Sequence, residues 1–244
     1  YDIGADEYPG EPAPPTGLSL VGPDSGAVNT DYQFLASVKP ITTTPPITYV
    51  WQTDRNPIAI HVDGLNDTAQ FRWNTPGEHT ISAAATNAGG TFTATHTITL
   101  DPPVAAGFPF YDGFESGLLQ PGWMAVTTEQ GRVSVNNTTA FAGNYSALID
   151  DAIGDDTYST AALILNIDLH QQTGVVLDFW WREFIDENHN ADGVFISDDY
   201  GDTWYQVMSF NDGPSDFERA YINLDAAAAA HGLVFNDHFQ IKFQ

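Results

Sequence analysis

The 244 residues carry 7 Lys+Arg against 32 Asp+Glu, a net charge of −25, 42% hydrophobic content and no cysteine. That hydrophobic share can build folded cores in one or two domains; the missing cysteine excludes disulfides, thiolate metal sites and Cys nucleophiles. The acidity excludes nucleic acid and anionic membrane surfaces as natural partners and favours divalent cations, and no apolar run approaches the roughly 20 residues that span a bilayer, so membrane insertion is not expected.

Residues 1–16, YDIGADEYPGEPAPPT, contain four prolines and no periodicity, the pattern of an extended linker. The start without Met or a targeting pattern leads us to expect a piece of a larger polypeptide. Within it, Asp2-Ile3-Gly4-Ala5-Asp6-Glu7-Tyr8 resembles the closing segment of bacterial right-handed parallel β-helix surface proteins. From residue 17 to 103, short β-type runs alternate with turn residues: 18–21, 32–38, 47–51, 69–73, 79–86 and 91–100, with Pro76-Gly77 and Asn87-Ala88-Gly89-Gly90 as turns. Strict alternation puts Phe92, Ala94, His96, Ile98 and Leu100 on one face. Such a series of short strands predicts a β-sandwich. Tyr49 and Trp51, followed by PGEHTISAAATNAGG, resemble a polycystic-kidney-disease-type (PKD) or related immunoglobulin-like module. The sequence departs from that family where Gln52-Thr53-Asp54 replaces the usual Asp-Phe-Gly-Asp-Gly. The resemblance implies a spacer or adhesive surface rather than an enzyme.

Residues 104–109 read as a short linker, and residues 110–244 as a second all-β module. Strand candidates are 131–135, 145–149, 161–167, 175–183, 193–197, 204–210, 218–224 and 239–243; the one helix-friendly piece is Asp225 to His231, with five alanines. This count suits a concanavalin-like jelly roll of two stacked sheets. Charge is uneven: residues 1–106 hold 11 acids and 3 bases, residues 107–244 hold 21 acids and 4 bases. Phe110-Tyr111-Asp112-Gly113-Phe114-Glu115-Ser116-Gly117, then Pro121-Gly122-Trp123, Leu177 to Glu183, Asp192 to Ser197 and Phe239 to Gln244, resemble bacterial jelly-roll modules akin to the MAM and cleaved-adhesin domains. In that family the chain usually runs through one more strand ending in acidic residues, so the resemblance implies a jelly roll lacking its last strand, with an open edge.

Three motifs carry chemistry. Ser197, Asp199, Gly201, Thr203 and Trp204 fit S-x-D-x-G-x-T-W, the Asp-box. A sialidase-type propeller needs several copies, and a single copy reads as a structural hairpin in which the carboxylate accepts backbone N–H groups, Gly supplies a positive φ and Trp anchors the turn. Asp186, Asn188, Asn190 and Asp192 place oxygen ligands at alternate positions of one loop, as Ca²⁺ prefers, although EF-hand spacing is absent; the alternative is a solvated acidic turn. The jelly-roll resemblance implies a second structural Ca²⁺ site at Asp112 and Glu115, with an oxygen from the Asn144 region. Exposed Trp180 or Trp181, with Arg182, offers a carbohydrate platform of stacking ring and hydrogen-bonding head groups; Asp178, Trp180 and Arg182 share one strand face, Phe179 and Trp181 the other.

Catalysis is not expected: the seven His stand singly, without H-E-x-x-H or G-x-S-x-G, and nothing selects a carboxylate pair. Sequons at Asn66, Asn136, Asn137 and Asn144 are candidate glycosylation sites. The expected function is therefore a non-catalytic, extracellular pair of modules from a bacterial surface protein, stiffened by Ca²⁺ and binding carbohydrate or a cell-surface protein. The alternatives are a subunit of an extracellular filament, sheath or surface layer, self-assembled by strand complementation at the open jelly-roll edge, and an accessory module of a secreted hydrolase.

Overall fold

The computed structural model describes residues 11–152, 158–184, 189–211 and 213–244. Among the described residues the chain is all-β apart from one short helix, and it divides into two compact units, Tyr1–Pro102 and Pro103–Gln244.

In the first unit, β1 (Gly17–Val21), β3 (Tyr32–Lys39) and β6 (Asn66–Phe71) form an antiparallel sheet in the order β1-β3-β6. The facing sheet takes β2 (Ser25–Ala27), β4 (Ile47–Thr53), β5 (Ala59–Asp63), β7 (Gly77–Asn87) and β8 (Gly90–Asp101) in the order β2-β8-β7-β4-β5, with only β2 parallel to its neighbour. Period-2 alternation buries Phe34, Ala36 and Val38 from β3, Ile47, Tyr49 and Trp51 from β4, and Ile81, Ala83 and Ala85 from β7. Register explains the residue sizes: Trp51 lies beside Ala83 and Tyr49 beside Ala85, so each large ring meets a methyl group. On β8 the alternation holds, but only Ile98 and Leu100 are fully covered; Phe92, near the hairpin turn, remains 39% exposed.

Two polar clasps cross this core. Trp51 Nε1 donates to Asp67 Oδ2 at 2.6 Å, and His61 Nδ1 lies 2.8 Å from the same oxygen, joining β4 and β5 of one sheet to β6 of the other. In the second clasp Asp54 accepts from Trp73 Nε1 at 3.2 Å and meets His79 Nδ1 at 2.8 Å. His79 Nε2 is satisfied by Thr75 O at 2.9 Å, and its ring stacks on Trp73. Nearby, burial, then Asp67 and Asp63, push the Tyr49 hydroxyl up to about 12, so it donates its proton to Gly64 O.

Part of the segment read as an N-terminal linker belongs to this sandwich. Ala13 exchanges bonds with Thr44 (N to Oγ1 3.0 Å; Thr44 N to Ala13 O 3.1 Å), Asn87 Nδ2 donates to Ala13 O, and Thr16 N donates to Lys39 O. Prolines hold the segment extended and cannot donate, so the docking bonds fall on the residues between and after them. Residues 1–10 lie outside the described ones.

In the second unit, β9 (Trp123–Thr128), β12 (Thr160–Ile167), β14 (Gly193–Ser197), β15 (Tyr205–Ser209) and β17 (Phe239–Phe243) make an antiparallel sheet in the order β15-β14-β17-β12-β9. Two antiparallel strand pairs accompany it, β10 (Gly131–Asn136) with β11 (Ser146–Asp151), and β13 (Val176–Trp181) with the distant β16 (Glu218–Asn223). The core joins Leu165, Ile167, Val194, Ile196, Phe239 and Ile241 of the large sheet to Leu177, Phe179 and Ile222 of β13–β16. The helix α1 (Leu224–His231) adds Leu224 and Ala228 to that core. It is a capped element rather than a loose turn: the Asn223 side chain accepts from Ala226 N, and Gly232 closes it at φ 72.

Residues 104–109 are not a free linker. Ala106 is buried, its N–H donates to Asn166 O at 2.8 Å, and its carbonyl accepts from Asp168 N at 2.9 Å, which attaches it to the end of β12. Gly122 (φ 103) permits this approach, since a Cβ there would lie 2.7 Å from that of Ala106. β17 fills the centre of the large sheet, whose edges are β9 and β15, while β13 and β16 each have a single partner strand. Among the described residues no helix is long and apolar enough to cross a membrane.

Candidate functional site

The strongest convergence of recognition groups lies on the outer face of β13–β16. Leu177 and Phe179 point into the core, so Asp178 and Trp180 point away from it. The register sets Trp180 beside Arg219 and Asp178 beside Tyr221. Arg219 grips Asp178 diagonally with two bonds, Nε to Oδ1 at 2.8 Å and Nη2 to Oδ2 at 2.5 Å. That hydrogen bonding holds the Asp178 carboxyl below the usual range and raises the guanidinium, so both stay charged.

Aromatic rings extend this face. Phe141, from the loop between β10 and β11, stacks on Trp180 with centroids 3.6 Å apart and planes 8° from parallel, and Phe217 meets Phe141 edge-on at 6.1 Å. The Arg182 guanidinium lies 5.5 Å from the ring centres of both Phe184 and Phe217. Trp180 is 43% exposed, Phe141 49%, Tyr221 66% and Phe184 72%. The result is a band of open rings bordered by a guanidinium, a phenol and an ion pair. Trp181 is not part of it: it stacks on Phe210 at 4.5 Å and packs against Gly213, where a Cβ would touch the indole. Of the three residues proposed for sugar binding, Trp180 and Arg182 meet on this face, and Phe141, Phe184, Phe217, Arg219 and Tyr221 join them.

The candidate calcium ligands are placed as follows. Asp186 and Asn188 lie outside the described residues. Asn190 and Asp192 use their backbone carbonyls, both meeting Gln206 Nε2, at 3.5 and 3.0 Å. Asp112 accepts from Phe114 N at 2.7 Å and from Trp123 Nε1 at 3.0 Å, so it fixes the start of the unit to β9. Glu115 does reach the Asn144 region, through N–H groups rather than a shared set of oxygens: Tyr145 N and Asn144 N donate to it at 2.9–3.0 Å, and Asn144 Nδ2 at 3.3 Å. These backbone donors hold its carboxyl below the usual range. Among the described residues no three His, Asp or Glu side chains converge on a cation-sized site.

The Asp-box makes the turn between β14 and β15. Ser197 Oγ bonds Asp199 Oδ1 at 2.8 Å and accepts from Gly201 N at 3.0 Å, while Thr203 N donates to Asp199 at 2.9 Å. Burial pushes the Asp199 carboxyl up, but the bonds from Thr203 and Ser197 outweigh it and hold it below its ordinary value. Gly201 adopts φ 84, and a Cβ there would lie 2.8 Å from the Trp204 ring. Beneath this turn the Lys242 ammonium sits 4.4 Å from the Phe195 ring centre and 4.8 Å from that of Trp204, donating to Gln244 Oε1; burial pushes it down to about 8. Among the sequons, Asn66, Asn137 and Asn144 are exposed, with Asn144 bonded to Glu115, and Asn136 accepts from Thr138.

No family model and no curated protein matches the chain. Among solved structures, the chain is similar to the PKD domain of an M14-like peptidase from Thermoplasmatales archaeon SCGC AB-540-F20. The identity is 18%, over 36% of this chain and 97% of that one, with a TM-score of 0.32.

Proposed function

We propose that the chain is a non-catalytic, extracellular pair of β-sandwich modules from a bacterial surface protein, the second unit MAM-like and binding carbohydrate on the outer face of β13–β16. The observation that carries the reading is the exposed Phe141–Trp180 stack beside Phe217 and Arg182. Flat rings take the apolar C–H face of a pyranose, while Arg182 and the Tyr221 hydroxyl address its hydroxyl groups. A stacked ring pair is rigid before the ligand arrives, which lowers the ordering cost of binding. Calcium enters the reading as a stiffening cation at the 186–192 loop.

A glycan array followed by titration calorimetry tests this. Phe141→Ala and Trp180→Ala are each expected to weaken the selected glycan at least tenfold, at roughly 1.5–3 kcal/mol for the apolar contact each lost ring makes. Trp181→Phe, which changes the packing against Phe210 and Gly213 away from the outer face, is expected to leave affinity within about twofold of the parent. An array without hits, or binding indifferent to both alanine variants, refutes the carbohydrate reading. Identical melting curves with calcium and with chelator refute the calcium part.

The assembly alternative rests on a separate observation: among the described strands, β13 and β16 pair only with each other. Strand complementation there yields filaments visible by electron microscopy.

A further inference from the structure

The outer surface of the first sandwich is largely polar; outside the β5 region, its exposed large apolar side chains are Val21, Leu35, Ile41 and Phe92. Along β8 it presents Thr91, Thr93, Thr95, Thr97 and Thr99, all exposed. The edge strand β6 of the other sheet presents Asn66, Thr68 and Gln70. The edge strand β5 differs: Ile58, just before it, and Ile60 and Val62 within it are 57%, 64% and 67% exposed. Its other face carries Ala59, which packs on the core, His61, which bonds Asp67, and the exposed Asp63. β5 therefore sets a row of β-branched apolar side chains on its outer face, yet among the described strands it pairs only with β4. Between Ile58 and Asp63 there is no Lys, Arg or Pro, the residues that ordinarily keep an edge strand from pairing.

We propose that β5 is a self-association surface: it pairs antiparallel with β5 of a second copy of the chain, about a two-fold axis through Val62. Three features favour a second copy as the occupant. The apolar positions repeat with period 2, so an identical strand brings the same β-branched side chains to the same face, with Val62 against Val62 and Ile60 diagonal to Val62. The same register sets His61 of each copy opposite Asp63 of the other. Within its own chain His61 engages Asp67 through Nδ1, with its side chain 40% exposed; among the described residues its Nε2 has no partner, and a ring protonated on both nitrogens can donate to Asp67 and to that second carboxylate at once. Finally, Asp63 is the one acid from Ile58 to Asp63, so the strand lacks the dense negative field that would select a basic partner. The inference concerns the first unit and stands independently of the carbohydrate reading.

The net charge of −25 on each copy opposes association, so added salt, which screens it, is expected to strengthen the dimer. Sedimentation velocity on the full chain tests the proposal. A monomer–dimer equilibrium is expected at protein concentrations of about 10–500 μM, shifting toward dimer between low and high salt. Ile60→Lys and Val62→Lys are expected to abolish it without moving the melting temperature, because both side chains are exposed. The absence of cysteine gives a second readout: Val62→Cys is expected to form an intermolecular disulfide on mild oxidation, and Thr95→Cys on the same outer surface is not. A chain that stays monomeric throughout that range, a dimer that survives both lysine variants, or equal cross-linking at the two cysteine positions each overturns the proposal; binding of an extended peptide to β5 by a monomeric chain does so too.

Discussion

Replacing Asp67 with Asn tests whether the first sandwich is held together by its inter-sheet clasp. The substitution keeps shape and opens no cavity, so the change is electrostatic. In the parent, one buried carboxylate oxygen accepts from Trp51 Nε1 at 2.6 Å and lies 2.8 Å from His61 Nδ1, with Asp67 7% exposed. Hydrogen bonds to a charged group contribute about 1.5–3 kcal/mol each and neutral ones about 1. Converting two of the first kind to the second is therefore expected to cost about 2 kcal/mol. For a unit of this size, Tyr1–Pro102, that lowers the melting temperature by about 10 °C at 4–8 °C per kcal/mol. Asp67→Ala is expected to cost more, because the fully buried Trp51 indole is left with no acceptor. Asp63→Asn, at an exposed carboxylate that accepts from Gly64 N and whose charge bears on the Tyr49 hydroxyl less than burial and Asp67 do, is the control and is expected to stay within about 0.5 kcal/mol. Scanning calorimetry on the whole chain resolves the units, and only one transition is expected to move. A Trp51→Phe/Asp67→Asn double-mutant cycle is expected to show coupling of about 1–2 kcal/mol, since the residues share one bond. A shift below about 2 °C for Asp67→Asn, or one equal to that of Asp63→Asn, refutes the reasoning.

Two further predictions concern titration. The Glu115 carboxyl is held below its ordinary value in the fold by the Tyr145 and Asn144 amides, so its contribution is present above the unfolded pKa, near 4.3, and is lost as pH falls through the folded one. Glu115→Gln is expected to flatten the acid side of the stability curve of the second unit, and acid melts superimposing on the parent's refute this. For Lys242 the folded value is pushed down to about 8 by burial, so between about 8 and 10.4 the unfolded chain binds more protons and stability rises with pH. The rise is moderated by the Phe195 and Trp204 rings, which return part of the lost hydration. Lys242→Met is expected to remove that alkaline rise, and its persistence in the variant refutes the assignment.

The period-2 runs were legible because each strand has one face in a core. β3, β4 and β7 alternate without a break, and all three stand among the runs read from the sequence. The strands that escaped are those without such contrast. β2 is three residues long, β5 turns its larger apolar side chains outward and His61 and Asp63 to the other face, and β9 begins Trp-Met-Ala-Val, a continuous run that follows a turn. The supposed linkers misled for a different reason. Their prolines and missing periodicity do describe extended backbone, but extended backbone also docks on sheet edges, as Ala13 and Ala106 do.

The candidate site divides along the same line. Alternation along one strand separated Trp180 from Trp181 onto opposite faces, and the structure keeps the first open and packs the second on Phe210. What alternation could not supply is the company Trp180 keeps. Phe141 comes from a different hairpin, and Arg219 sits 41 residues from the Asp178 it grips; such pairings follow from register and loop path rather than from any local pattern. Asp54 shows the same limit within a recognised motif. It stands where a PKD-type sequence would carry a different run, and its role appears only when Trp73 and His79 arrive from either side. In an acid-rich chain the count of carboxylates therefore says little about cation sites. Asp54, Asp67, Asp112, Glu115 and Asp199 each hold indole, imidazole, hydroxyl or backbone donors, and much of the negative charge that invited a metal is spent inside the fold on tying its own loops and sheets.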